Sequence, residues 1–212
     1  MTRIAVIGGT GYAGRHIVSE AVDRGHTVVS VARNIAAERV AGATYVEGTL
    51  LDVPRLIGEL EGVEVVVVSV PARGELVGVL NAAVAELEVH LAADVRFGVV
   101  GGAGGSLVSA DGPRLVDTDF PEDFKPEALE AIAVLEHLQA LESARDWFFV
   151  HPAASFGSFN PGARTGSYRD GGEVLVVDKS GNSFISGEDL AVAVVDEIES
   201  PKHSRERFTV GY

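Results

Sequence analysis

The chain has 212 residues, a formal net charge of −14 and no cysteine. That length allows one domain with a substantial core, and the absent thiols exclude disulfides and thiolate chemistry. The acidic balance argues against nucleic acid or an anionic membrane surface as partner, so an anionic ligand needs local positive features. No apolar stretch approaches the roughly 20 residues needed to span a bilayer. Arg3 and an early glycine turn interrupt the first apolar run, unlike a signal peptide. The expectation is a soluble cytoplasmic protein taking a small-molecule substrate.

Ile4 to Ile7 is a short, mostly β-branched run, as in a strand buried on both faces of a parallel sheet. It stops at Gly8-Gly9-Thr10-Gly11, and from Tyr12 the apolar residues Ile17, Val18, Ala21 and Val22 recur at helical spacing. Gly8, Gly11 and Gly14 are three apart. Gly8 lets the chain turn, Gly11 lets an anion approach the backbone, and Gly14 lets the helix pack on the strand. The first amides of a helix lack partners within it and its dipole is positive there, so a diphosphate suits both. Gly8, Thr10, Gly11, Tyr12, Ala13 and Gly14 are therefore the expected dinucleotide contacts.

Gly25 caps that helix. Thr27 to Ala32 is a second strand, Asn34 to Val40 a short helix, and Ala43 to Glu47 a third strand. Pro54 to Leu60 opens a helix with Pro in its first turn. Glu64 to Val70 is a fourth strand, Glu75 to Ala93 a long helix, and Phe97 to Val100 a fifth strand closed by five residues, four of them glycine. Ser106 to Lys125, with Pro113, Pro121 and five acidic residues, reads as a long surface loop. Pro126 to Ser143 is a helix and Trp147 to Val150 a sixth strand. The alternation requires right-handed crossovers, hence an α/β, Rossmann-like doubly wound parallel sheet. Pro152 to Gly172 is loop-like. Glu173 to Asp178 and Ser183 to Ile185 read as a hairpin. Ser186 caps a last helix, with Asp189 in a capping-box position, and Phe208 to Val210 is a final strand. One domain, 1–212, is expected, with 152–185 a small C-terminal lobe covering the cofactor on its substrate side.

The other strand ends add candidates. After the second strand an Asp or Glu would bind the ribose hydroxyls of NAD. Here Arg33 stands in that place, suited to a 2′-phosphate, so NADP(H) is expected over NAD(H); a solvated surface Arg is the plain alternative. Thr49 and Leu50 would lie near the adenine. Ser69, Val70 and Pro71 would run under the pyrophosphate and nicotinamide ribose, or form a simple turn. Gly101, Gly102 and Pro152 complete the expected cofactor contacts. No His, Asp or Glu spacing suggests a metal, and no nucleophile elbow is present.

The segments IAVIGGTGYAG, VARN, VVGGAGGSL, DWFFVHPAASF, RTGSYR, ISGEDLAVAVVDEIE and RFTVGY cover nearly the whole chain. Together they resemble the atypical short-chain dehydrogenase/reductases, in particular the NAD(P)H-flavin reductases related to biliverdin reductase B and to NmrA-like proteins. The resemblance implies hydride transfer from NADPH to a flavin or another conjugated acceptor. It equally admits an NADP sensor without turnover, and more distantly a nucleotide-sugar epimerase or dehydratase. Classical members of that superfamily use Tyr-x-x-x-Lys. None of Tyr12, Tyr45, Tyr168 and Tyr212 has Lys four residues on, and the lysines are Lys125, Lys179 and Lys202 alone. An isolated carbonyl needs a proton donor at the forming alkoxide, whereas a flavin delocalises the charge and needs mainly alignment. Ser106, Lys125 and His151 are the catalytic candidates. Lys125 reads better as a solvated loop residue and Ser106 as a loop residue or backbone ligand. His151 points toward the expected substrate mouth, and His137 reads as structural or exposed.

Overall fold

A computed structural model describes residues 1–35 and 38–212. The first strand, β1 (Arg3–Ile7), leads through the glycine turn into α1 (Tyr12–Asp23). There follow β2 (Thr27–Ala32), β3 (Thr44–Glu47), α2 (Val53–Glu59), β4 (Val65–Val68), α3 (Leu80–His90) and β5 (Arg96–Val100). The second half holds α4 (Lys125–Gln139), β6 (Trp147–His151), β7 (Arg169–Asp170), α5 (Gly187–Glu199) and β8 (Glu206–Gly211). Among the described residues the strands form one eight-stranded sheet in the order β3-β2-β1-β4-β5-β6-β8-β7. Every pairing is parallel except β7 with β8.

The two faces of the sheet carry separate cores, which explains the unbroken apolar strands. Ile4 and Val6 pack with Ile17, Val18 and Ala21 of α1 and Leu190, Ala191 and Val194 of α5. Ala5 and Ile7, pointing the other way at the period of two, pack with Leu56 of α2, Leu87 of α3 and Leu135 and Leu138 of α4. Helix α1 ends as the sequence suggested. Gly25 takes φ +82°, its N–H donates to Val22 O, and His26 N–H donates to Ala21 O, a Schellman closure.

Several expectations change. The helix expected over Glu75–Ala93 starts only at Leu80, after a 3-10 turn at Gly74–Leu76, because Gly74 (φ +59°) and Gly78 (φ +71°) sit in left-handed backbone. The short helix expected over Asn34–Val40 falls partly outside the described residues, and its described residues are not helical. The stretch Ser106–Lys125 is not all surface: Val116 is buried against Ala128 and Ile132, and short 3-10 turns run through it. The hairpin at 173–185 keeps its turn, where the Asp178 carboxylate accepts from Ser180 N and Asn182 N and Asp178 N donates to Asn182 O at 2.7 Å, but beyond that bond its arms form no ladder among the described residues. Residues 173–175 bond to Leu107 instead, through Leu107 N to Glu173 O and Leu175 N to Leu107 O. The antiparallel edge strand is Arg169–Asp170, too short and polar to show a period. At α5 only half of the capping box forms: Ser186 Oγ accepts from Asp189 N at 3.1 Å. The Asp189 carboxylate turns instead to Thr165 N and Gly166 N, both at 2.8 Å, and to the Tyr212 hydroxyl, tying the 160–168 stretch to the helix.

Candidate functional site

The registers Ile7↔Val31, Ile7↔Val68, Val68↔Val99 and Val100↔Val150 bring the C-terminal ends of β2, β1, β4, β5 and β6 to one level. The turns after those strands share one edge of the sheet. Helices α1 and α2 leave on opposite faces, so the order reverses between β1 and β4. That is the switch point where ligands bind in open α/β sheets.

The glycine turn is fixed from both sides. Gly8 N and Gly9 N donate to Val31 O at 2.8 and 3.1 Å, Ser69 N donates to Ile7 O at 2.8 Å, and Gly11 N closes on Gly8 O at 2.9 Å. Gly8 has φ +88°, and a Cβ there would lie 2.4 Å from Ser69 O. At Gly14 a Cβ would lie 2.1 Å from Gly8 O, so the start of α1 rests directly on the turn. At Gly11 it would meet Gly8 O alone, at 3.2 Å. Gly9 lies outside the spaced triplet, yet a Cβ there would meet Ser30 Oγ at 2.3 Å. Its need for glycine comes from β2 and carries no signal in spacing. No side chain caps α1, and the amides of Tyr12, Ala13 and Gly14 have no acceptor among the described residues. The Tyr12 side chain turns aside, its hydroxyl donating to Pro161 O at 3.2 Å and its ring 5.3 Å from that of Phe156. Three amides and a positive helix end thus open onto the crevice, which suits a diphosphate.

Around this turn, Arg33 is exposed just past β2, with Nη1 donating to Glu75 Oε2 at 3.1 Å. Thr49 Oγ1 accepts from Leu51 N at 3.2 Å, and the Leu50 side chain is in the core, so Leu50 offers the crevice only backbone. Ser69 is buried, Val70 half-buried and Pro71 exposed. Gly101 N donates to Val150 O at 2.9 Å and its missing side chain makes room for the Phe149 ring. Gly102 faces open space. Pro152 is buried behind β6.

Of the proton-donor candidates, His151 sits differently from its sequence expectation. His151 is 1 % exposed, and its Nδ1 bonds Gly102 O at 2.7 Å. With the proton on Nδ1, Nε2 is left a buried acceptor without a partner. Burial pushes its pKa down to about 4, so the ring is neutral near pH 7. The ring packs under the glycine turn, where Gly105 leaves room for it, rather than standing in an open mouth. Ser106 is fully buried, and its Oγ also has no partner. Lys125 is the first residue of α4 and pairs with Glu122 at 2.5 Å. His137 keeps Nε2 buried and unpartnered on α4, away from the strand ends. Among the described residues no cluster of His, Asp or Glu could hold a metal ion. No helix among them is long and apolar enough to cross a membrane.

Residues 8–201 match a family described as NAD(P)H-binding. Over 98 % of this chain and 97 % of the relative, the sequence is 36 % identical to the uncharacterized protein YwnB of Bacillus subtilis. Among solved structures, one from Streptococcus pneumoniae, described as a "putative NADH-flavin reductase", is 34 % identical over 100 % of this chain and 99 % of that one, with a TM-score of 0.88. Another from Bacteroides thetaiotaomicron, described as a "putative epimerase", is 32 % identical over 100 % and 97 %, with a TM-score of 0.86. A third from Burkholderia pseudomallei, described as a "putative exported protein", is 36 % identical over the whole of both chains, with a TM-score of 0.85.

Proposed function

Because the chain belongs to the NAD(P)H-binding family, we propose that it is an oxidoreductase that takes hydride from NADPH and passes it to a flavin or another planar, conjugated acceptor. The observation that carries the cofactor half is the start of α1: three amides without acceptors, resting on a turn so tight that Gly14 admits no side chain. Those amides and the Gly8–Gly11 backbone would hold the diphosphate. Arg33 would face the 2′-phosphate, the turns after β3 and β4 the adenosine and ribose, and Gly101 and Gly102 the nicotinamide side. A bound reduced nicotinamide supplies the hydride. The protein's own contribution is to orient the two rings. Residues 152–185, which leave β6 at the same end of the sheet, would line the acceptor side.

The acceptor half rests on what the strand ends lack. Reducing an isolated carbonyl requires a placed acid. Here Ser106 and His151 are buried, Lys125 is paired and no tyrosine precedes a lysine by four. A ring that spreads the incoming charge can take its proton from water. The likeness to the Streptococcus pneumoniae structure agrees with that choice. The missing pair argues against the chemistry named for the Bacteroides structure. The test is NADPH oxidation followed by absorbance, with FMN, riboflavin, quinones and aldehydes as acceptors, beside a direct binding titration. Turnover with flavins or quinones and none with aldehydes supports the reading. Tight NADPH binding with no oxidation above background for any acceptor overturns it in favour of a cofactor sensor.

A further inference from the structure

Strands β2 and β4 lie on either side of β1, yet Arg33, just past β2, meets Glu75 of the 3-10 turn that follows β4. The Arg33–Glu75 pair, closed at 3.1 Å, crosses the C-terminal end of β1. Glu75 is presented by a tied turn. Arg73, two residues before it, holds Glu127 of α4 through Nε at 2.5 Å and Nη2 at 3.1 Å, and Leu76 N donates back to Arg73 O. Arg33 spends only Nη1 on the pair; its Nε and Nη2 have no acceptor among the described residues. The two side chains are 59 % and 68 % exposed, so the pair adds little to stability. Its charge nevertheless sits at the mouth of the crevice.

We propose that Glu75 is a selectivity residue, whose carboxylate competes with the 2′-phosphate of NADP(H) for the Arg33 guanidinium. The inference rests on the reading that Arg33 faces that phosphate. A phosphate monoester carries nearly two negative charges near pH 7. To reach Arg33 it must displace the Glu75 carboxylate or share the guanidinium with it at like-charge cost. NADH has no such group and leaves the pair intact. Glu75 therefore weakens binding of the phosphorylated cofactor alone and narrows the preference that Arg33 creates. A protein with Arg33 and a neutral residue at 75 discriminates more sharply.

Glu75→Gln keeps the size and removes the charge. Its Kd for NADPH, by fluorescence titration in low salt, is expected to fall about three- to tenfold, with NADH changed less than twofold. In 0.5 M salt the gain shrinks, because screening already weakens the competing carboxylate. Arg33→Ala is the control and should weaken NADPH while sparing NADH. If Arg33→Ala shows that selectivity but Glu75→Gln leaves NADPH unchanged, or weakens it, Glu75 does not compete and the inference is wrong while the role of Arg33 stands. If Arg33→Ala affects both cofactors equally, Arg33 does not read the phosphate, and the inference falls with that reading. Unchanged melting of both variants ensures that binding is what is measured.

Discussion

Gly11 and Gly14 look alike in the sequence, yet the structure predicts opposite consequences for a methyl group at each. At Gly14 the added Cβ would sit 2.1 Å from Gly8 O, 2.8 Å from Gly8 C and 2.9 Å from Gly9 Cα, all backbone. Carbon and carbonyl oxygen settle at about 3.3 Å, so α1 would have to lift by about 1 Å. That shift loosens Ile17, Val18 and Ala21, each with no exposed surface, from β1 and α5. Overpacking of this kind costs about 1–3 kcal/mol, and a backbone obstacle puts it at the upper end. Replacing Gly by Ala inside a helix returns up to about 1 kcal/mol. The net for Gly14→Ala is about 2 kcal/mol, which lowers Tm by about 4–8 °C in a chain of this size. At Gly11 the backbone is extended (φ −72°, ψ 174°), open to any residue, and the methyl meets only Gly8 O at 3.2 Å. Gly11→Ala should stay within about 1 kcal/mol of the parent. Its methyl would stand beside the amides that open the helix, so NADPH affinity should fall more than about tenfold. Thermal melting and calorimetric titration on both variants decide the matter. A Gly14→Ala protein that melts like the parent refutes the packing argument. A Gly11→Ala protein that binds NADPH like the parent refutes the placement of the diphosphate.

Two further outcomes follow from buried ionisable groups. His151 titrates near 6.5 when unfolded but at about 4 in the fold, held down by burial, so it costs nothing above about pH 6.5 and destabilises the fold as pH falls toward 4. The loss over that window is roughly 3 kcal/mol; His151→Asn should flatten the acid slope in denaturant melts at pH 7, 5.5 and 4.5, and an unchanged slope would exclude His151 as its source. Arg145, between α4 and β6, donates to Glu88 Oε1 at 2.6 Å and to the carbonyls of Glu88, Leu91, Ala92 and Val95, closing the C-terminus of α3. Both side chains of the pair are 6 % exposed, so Arg145→Ala strands a buried carboxylate and should cost about 3–5 kcal/mol, read as a fall in urea midpoint; a midpoint near the parent's would show that Glu88 finds another partner.

The parts of the fold that were legible are those where one physical cause acts on neighbouring residues. Val65 to Val68 cannot alternate because both faces of β4 are covered, so the run of valines announces a central parallel strand. Gly8, Gly11 and Gly14 announce a strand–turn–helix crossing because each lies within one turn of the same junction. What stayed hidden depends on partners far away in sequence. Residues 173–175 have the apolar pattern of a strand, but Leu107 rather than a neighbouring hairpin arm takes their hydrogen bonds. Asp189 has the capping-box spacing, but Thr165, Gly166 and Tyr212 compete for its carboxylate. Arg33 is placed by β2 alone, and its partner Glu75 arrives through a separate turn after β4.

The same distinction governs the chemistry. His151 and Ser106 reach the right end of the sheet because β5 and β6 end there, which the sequence shows. Whether they face the crevice depends on how Gly101 to Gly105 fold over them, which it does not show. The turn closes on them: His151 Nδ1–H donates to Gly102 O, and Gly105 makes room for the ring. A neutral imidazole whose free nitrogen is a buried acceptor cannot give a proton to a substrate. A serine hydroxyl without exposed surface cannot reach one. The same stretch that covers these two residues leaves Gly102 facing open space. It is on this burial that the proposed choice of an acceptor needing alignment more than protonation rests.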